Sequence, residues 1–153
     1  MPYERLLKEA AQQGIYTYEK PLKSTIKGLY SDNVIWINRY ISTSTEKSCI
    51  LAEELGHYYT SSGNILDQID LQNRKQEKKA RNWAYEKLVP LDGFLHAHRT
   101  GICNLYELAD HLNVTEDFLD SALKHYQEKY GTHVIVDGYT ICFEPLGILE
   151  MFE

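Results

Sequence analysis

The chain has 153 residues, 43% of them hydrophobic and 25% charged, with a formal net charge of -6. Such a length and balance fit one compact domain with a real core, and they exclude low complexity and wholesale disorder. The acidic balance argues against nonspecific nucleic-acid binding, which needs a positive footprint.

The first predicted element is a helix over Tyr3–Gln13, with Leu6, Leu7, Ala10 and Ala11 at helical spacing and Gly14 as its stop. Nothing at this end resembles a signal-peptide core, and no later stretch is long and apolar enough to span a membrane. Ile15–Tyr18 is rich in strand formers. Thr25–Tyr30 and Val34–Asn38 read as a hairpin around the polar turn Ser31-Asp32-Asn33, so a small antiparallel sheet is expected beside the helix. Thr43 with Glu46 forms a capping box that opens a helix through Tyr59, and Ser61-Ser62-Gly63-Asn64 is expected to break it. A further helix runs from about Asn73 to Leu88, stopping before Pro90, and Leu91–His98 suggests a short helical turn. Two helical patterns follow from Leu105 to Tyr130, split near Asn113-Val114-Thr115, with Thr115 as N-cap of the second. The tail alternates as a hairpin, His133–Val136 and Tyr139–Phe143, around Asp137-Gly138, a pair suited to a type I′ turn. The chain therefore reads as α+β, a single domain over 1–153 with a core in 1–100 and a helical pair plus hairpin in 101–153.

Chemistry concentrates in the helix that Thr43 opens. Glu53-Glu54-Leu55-Gly56-His57 has the form of the zinc-protease motif H-E-x-x-H with glutamate in the first place. In that motif the residues at i and i+4 share a helical face and hold a metal, and the glutamate at i+1 takes a proton from metal-bound water. Glu53 and His57 thus stand in ligand positions and Glu54 in the base position. The plainer reading is an i,i+4 pair on a solvated face. On the next helix, Glu77 lies in line with Ala80, Trp83, Ala84 and Leu88, and a carboxylate on an apolar stripe needs a partner. Arg81 offers a simple ion pair; a metal shared with His57 is the alternative. His96 and His98 could support a tetrahedral intermediate or stand in for the missing histidine, but such a pair is more often a solvated turn. Tyr58 could place a phenol near an oxyanion, with packing as its plainer role. His111, His125 and His133 lack ligand spacing. The three cysteines, Cys49, Cys103 and Cys142, are widely separated, which points away from a disulfide framework and towards a reducing cytoplasm.

These residues carry a resemblance. Leu51–Tyr58, followed by Glu77-x-x-Ala80-x-x-Trp83-Ala84 and Leu88-Val89-Pro90, resembles the ImmA/IrrE family of metallo-endopeptidases, well over Tyr3–Pro90 and loosely beyond. The resemblance implies a zincin-like fold, with the small sheet packed on the motif helix. It also implies zinc held by His57 and Glu77, Glu54 as base, and a helix-turn-helix repressor as substrate, cleaved to induce genes of a prophage or mobile element. Glu53 departs from the pattern, where histidine is expected. Carboxylate oxygen reaches zinc at nearly the same distance as imidazole, and its added negative charge favours harder ions such as manganese. The residues leave three readings open: a zinc site that uses Glu53, a site for another metal, and a protease-shaped protein that holds the repressor without metal or cleavage. A third class, a DNA-binding regulator, rests on the helix-turn-helix pattern of Leu105–Leu123. Glu107, Asp110, Glu116, Asp117 and Asp120 along that pattern would repel phosphates.

Overall fold

The computed structural model describes residues 2–60, 70–102, 104–143 and 146–150. The chain is α+β and packs as two compact units, Met1–Ala84 and Tyr85–Glu153, with the division falling inside one helix.

In the first unit, α1 (Pro2–Gln12) buries Leu6 and Ala10. It ends in a Schellman motif: Gly14 has φ +78°, its N–H donates to the Ala11 carbonyl at 3.0 Å, and Ile15 N–H donates to the Ala10 carbonyl at 2.9 Å. Three strands follow, β1 (Tyr16–Lys20), β2 (Gly28–Ser31) and β3 (Val34–Asn38). β2 and β3 form the expected antiparallel hairpin, and both turn residues, Asp32 (φ 49°) and Asn33 (φ 64°), have the positive φ of a type I′ turn. β1, however, pairs with β3 in parallel, so the sheet order is β1-β3-β2 and the sheet is mixed rather than antiparallel. The central place falls to β3, whose Ile35 and Ile37 are fully buried. The connection from β1 to β2 crosses the end of β3, where buried Asn38 clasps it. Its Nδ2 donates to the carbonyls of Leu22 (3.3 Å), Lys23 (3.2 Å) and Ile26 (2.9 Å), while Oδ1 accepts from Tyr40 N–H at 3.0 Å.

Alternation gives the sheet two faces. Thr17, Glu19, Gly28, Tyr30, Ile35 and Ile37 share the face that meets the helices; Tyr16, Tyr18, Leu29, Val34 and Trp36 share the other. Against the inner face lies α2 (Ser44–Thr60), burying Cys49, Ile50, Leu51, Ala52 and Leu55. Thr43 Oγ1 accepts from Glu46 N–H at 3.1 Å, capping the helix where expected. The expected breaker Ser61–Asn64 lies outside the described residues, as does Cys103. α3 (Asp70–Leu88) starts earlier than its apolar periodicity announces. It meets α2 where Gly56 faces Ala80: a Cβ on Gly56 would overlap the Ala80 carbonyl, so only glycine permits this approach.

The second unit holds the end of α3, then α4 (Leu91–Arg99), α5 (Leu105–Leu112) and α6 (Glu116–Tyr130), with an antiparallel sheet β4-β5-β6. Asn104 and Thr115 cap α5 and α6, accepting from Glu107 N–H (2.8 Å) and Phe118 N–H (3.1 Å). β4 (His133–Val136) and β5 (Tyr139–Phe143) turn at Asp137 and Gly138, both with positive φ, as the sequence predicts. β6 (Leu146–Glu150) extends the expected hairpin to three strands. Phe94, Leu119, Tyr126, Ile141 and Phe143 form the core, and Tyr126 OH donates to the Val89 carbonyl at 2.6 Å. Among the described residues, no helix is long and apolar enough to cross a membrane.

Candidate metal and catalytic site

The chemistry-bearing groups of the first unit lie along α2, between β2 on one side and α3 on the other. Helical spacing divides the polar residues of α2 between two neighbours. Ile50, Glu54 and Tyr58 follow one another at intervals of four along the side that meets β2. Gly28 of β2 comes so close that a Cβ there would stand 2.7 Å from Ile50 Cγ2 and 3.3 Å from Glu54 Oε1. Two residues along the same strand face, Tyr30 packs edge-on against Tyr58, ring centroids 6.3 Å apart. His57 turns instead to α3. Its Nε2 lies 3.1 Å from Glu77 Oε1, and the other oxygen of Glu77 lies 4.0 Å from the Arg81 guanidinium. The half-exposed Glu77 carboxylate thus has both the partners its sequence position suggests, an ion pair along its own helix and a histidine on α2.

Electrostatics mark the same place. Burial, reinforced by the charges of Glu53 and Glu77 and opposed by His57, pushes the Glu54 carboxyl up to about 7. Burial likewise raises Glu53, against the pull of Arg81 and His57. For His57, burial alone would disfavour the charged ring, but the bond to Glu77 and the charges of all three glutamates outweigh it and hold the imidazolium above its ordinary range. Glu77 is held low, first by its bond to His57 and then by Arg81. Three carboxylates sharing a half-buried site with one histidine and one arginine form an anionic cluster that a divalent cation would neutralise.

The donor set fits such a cation in kind. Imidazole nitrogen and carboxylate oxygen are zinc ligands at about 2.0–2.2 Å, and two of them at a tetrahedral angle stand about 3.3 Å apart. The 3.1 Å between His57 Nε2 and Glu77 Oε1 is close to that value. Among the described residues, the buried His57 Nδ1 has no hydrogen-bond partner. Glu53, one turn before His57, brings an oxygen donor from the expected position, yet among the described residues no three His, Cys, Asp or Glu side chains converge on one point. His57 and Glu77 are paired.

His96 and His98 belong to α4 of the second unit, where His96 packs against His111 (5.2 Å) and His98 against Tyr139 (6.1 Å). Tyr58 belongs to a row of rings, T-shaped against Tyr59 at 5.0 Å, with Tyr59 stacked on Trp83 at 4.8 Å. Gly28 and Gly56, which set the heights of β2 and α3 over α2, give no chemical signal in the sequence; only Gly56 sits inside a recognisable motif.

Comparison with known proteins gives one match. The family model described as the IrrE N-terminal-like domain, Peptidase_M78, covers residues 10–124, most of the chain and all the site residues just described in the first unit. No curated protein and no solved structure matches.

Proposed function

We propose, from the premise that the chain belongs to the Peptidase_M78 family of IrrE N-terminal-like domains, that it is a cytoplasmic metal-dependent endopeptidase. The observation that carries this reading is the convergence of His57 and Glu77 from two helices, 3.1 Å apart, with the half-buried Glu54 on the same turn of α2 as His57. His57 and Glu77 would hold the ion, zinc or alternatively manganese, with Glu53 as the third donor. When bound, such an ion supplies Lewis acidity to the scissile carbonyl and makes a water acidic enough to lose its proton near neutral pH. Glu54 accepts that proton on its carboxylate and returns it to the departing amine, a task suited to a carboxyl raised to about 7. β2 is an edge strand, and an extended substrate segment adding to it would run past Gly28, directly over Glu54.

The substrate we assign is a partner repressor of the helix-turn-helix type, cleaved to release genes of a prophage or mobile element. The family resemblance supports that class. A second reading has its own observation: with Glu53 in the histidine position and no three donors convergent among the described residues, the chain would bind and regulate the repressor without cutting it. Incubating the protein with a helix-turn-helix repressor encoded beside its gene, with zinc, manganese or EDTA, separates the two. Metal-dependent cleavage that Glu54→Gln abolishes supports the peptidase. A stable complex with intact repressor in every condition supports the binder and defeats the first reading.

A further inference from the structure

The sheet of the first unit carries the candidate site on one face and leaves the other to solvent. On that outer face Tyr16 is 67% exposed, Tyr18 46% and Leu29 44%, with Val34 and Trp36 half-buried between them. Two tyrosines, a tryptophan and a leucine side by side, with no charged residue among them, have the composition of an interface centre rather than of ordinary surface. The ends of the face differ in charge. At one end the β2–β3 turn brings Asp32 and Asn33 next to Tyr16, whose N–H donates to the Asn33 carbonyl at 3.0 Å. At the other end Lys20 lies 6.0 Å from the Tyr18 ring centre. Arg39, whose N–H donates to the Lys20 carbonyl at 2.8 Å, lies 5.8 Å from the ring of the exposed Tyr40.

We propose that this outer face docks a second copy of the chain, sheet on sheet. A two-fold axis lying in the interface and perpendicular to the strands makes the contact isologous and sets the two sheets antiparallel. The Lys20–Arg39 end of one copy then meets the Asp32 end of the other, whereas an axis along the strands would place like charge on like. Tyrosine and tryptophan at the centre supply the apolar burial, and the charges at the rim select the orientation. A nucleic acid is a poorer occupant: the face offers few cations and the whole chain carries a charge of -6. The inner face, with Glu54 and His57, takes no part, so each copy keeps its own site.

Sedimentation velocity of the full chain from about 5 to about 500 µM tests this, and a reversible monomer–dimer equilibrium is expected. Tyr18→Glu and Leu29→Glu should each weaken it at least about tenfold, with circular dichroism and melting temperature confirming that each variant is folded. Lys20→Glu should weaken it as well, and the double variant Lys20→Glu with Asp32→Lys should recover dimerisation. A monomer at every concentration overturns the proposal and gives the face to another occupant. A dimer that both Tyr18→Glu and Leu29→Glu leave intact overturns it too, because the contact then lies elsewhere.

Discussion

Helix α3 makes two histidine–glutamate pairs, one in each unit, and their geometry is almost the same. Glu77 meets His57 at 3.1 Å; Glu86 meets His125 at 3.0 Å. Their surroundings are opposite. Lys129 reaches the second oxygen of Glu86 at 2.8 Å, and the rings of Tyr85 and Tyr126 flank the buried His125, so charge is balanced and the ring is packed. Around the first pair stand two further glutamates, both raised by burial, and a histidine nitrogen that has no partner among the described residues. A short His–Glu contact is therefore no sign of function by itself. An excess of half-buried carboxylate over available cation is the distinguishing feature, because a fold gains nothing from it.

Substitutions should drive the two pairs apart. The largest effect belongs to Glu54→Gln, which removes the proposed proton acceptor and should lower the proposed repressor cleavage by about 10²–10⁴-fold without lowering the melting temperature. Glu86→Gln should leave the cleavage rate unchanged. Next, Glu77→Ala should weaken zinc binding, followed by calorimetry, by on the order of 100-fold, while Glu53→His strengthens it and Glu86→Ala does nothing. Zinc affinity indifferent to Glu77→Ala would erase the contrast. His125→Ala should cost about 1–3 kcal/mol in urea unfolding through lost packing and a broken bond, with zinc affinity intact.

The pH dependence of stability differs in sign between the pairs in metal-stripped protein. Glu54 is raised on folding from 4.5 to about 7, so stability is present below the unfolded value and declines as pH rises through that window. Glu86 is held low: burial works against it, but Lys129 and His125 outweigh burial. Its contribution is present above the ordinary glutamate range and is lost as pH falls through the lowered folded value. Unfolding curves should show Glu54→Gln flattening the neutral side and Glu86→Gln the acid side.

Much of this was readable from local signals. Thr43 and Thr115 announce helix starts because their hydroxyls satisfy amides only a few residues away, and Asp137-Gly138 announces its hairpin because positive φ is costly for most other residues. Glu77 stood out because a carboxylate interrupted an apolar stripe. What the sequence hid depends on partners distant along the chain. The parallel placement of β1 rests on the Asn38 clasp, an ordinary asparagine until three carbonyls surround it. The earlier start of α3 lies in polar residues without apolar periodicity, and β6 has too little alternation to show. That no three donors converge among the described residues depends on side-chain positions that spacing along one helix does not specify.

Gly56 and Ala80 have one more consequence. Their contact brings α2 and α3 too close for any side chain at 56, and it lies one residue from His57 and three from Glu77. It acts as a fulcrum with a very short arm. Glu77 sits about 4.5 Å along the axis from it, so swinging α3 by about 10° would carry the Glu77 backbone less than about 1 Å. Disturbance at the far ends of either helix would therefore be absorbed before it reached the paired donors, and a residue with no side chain keeps the distance between them.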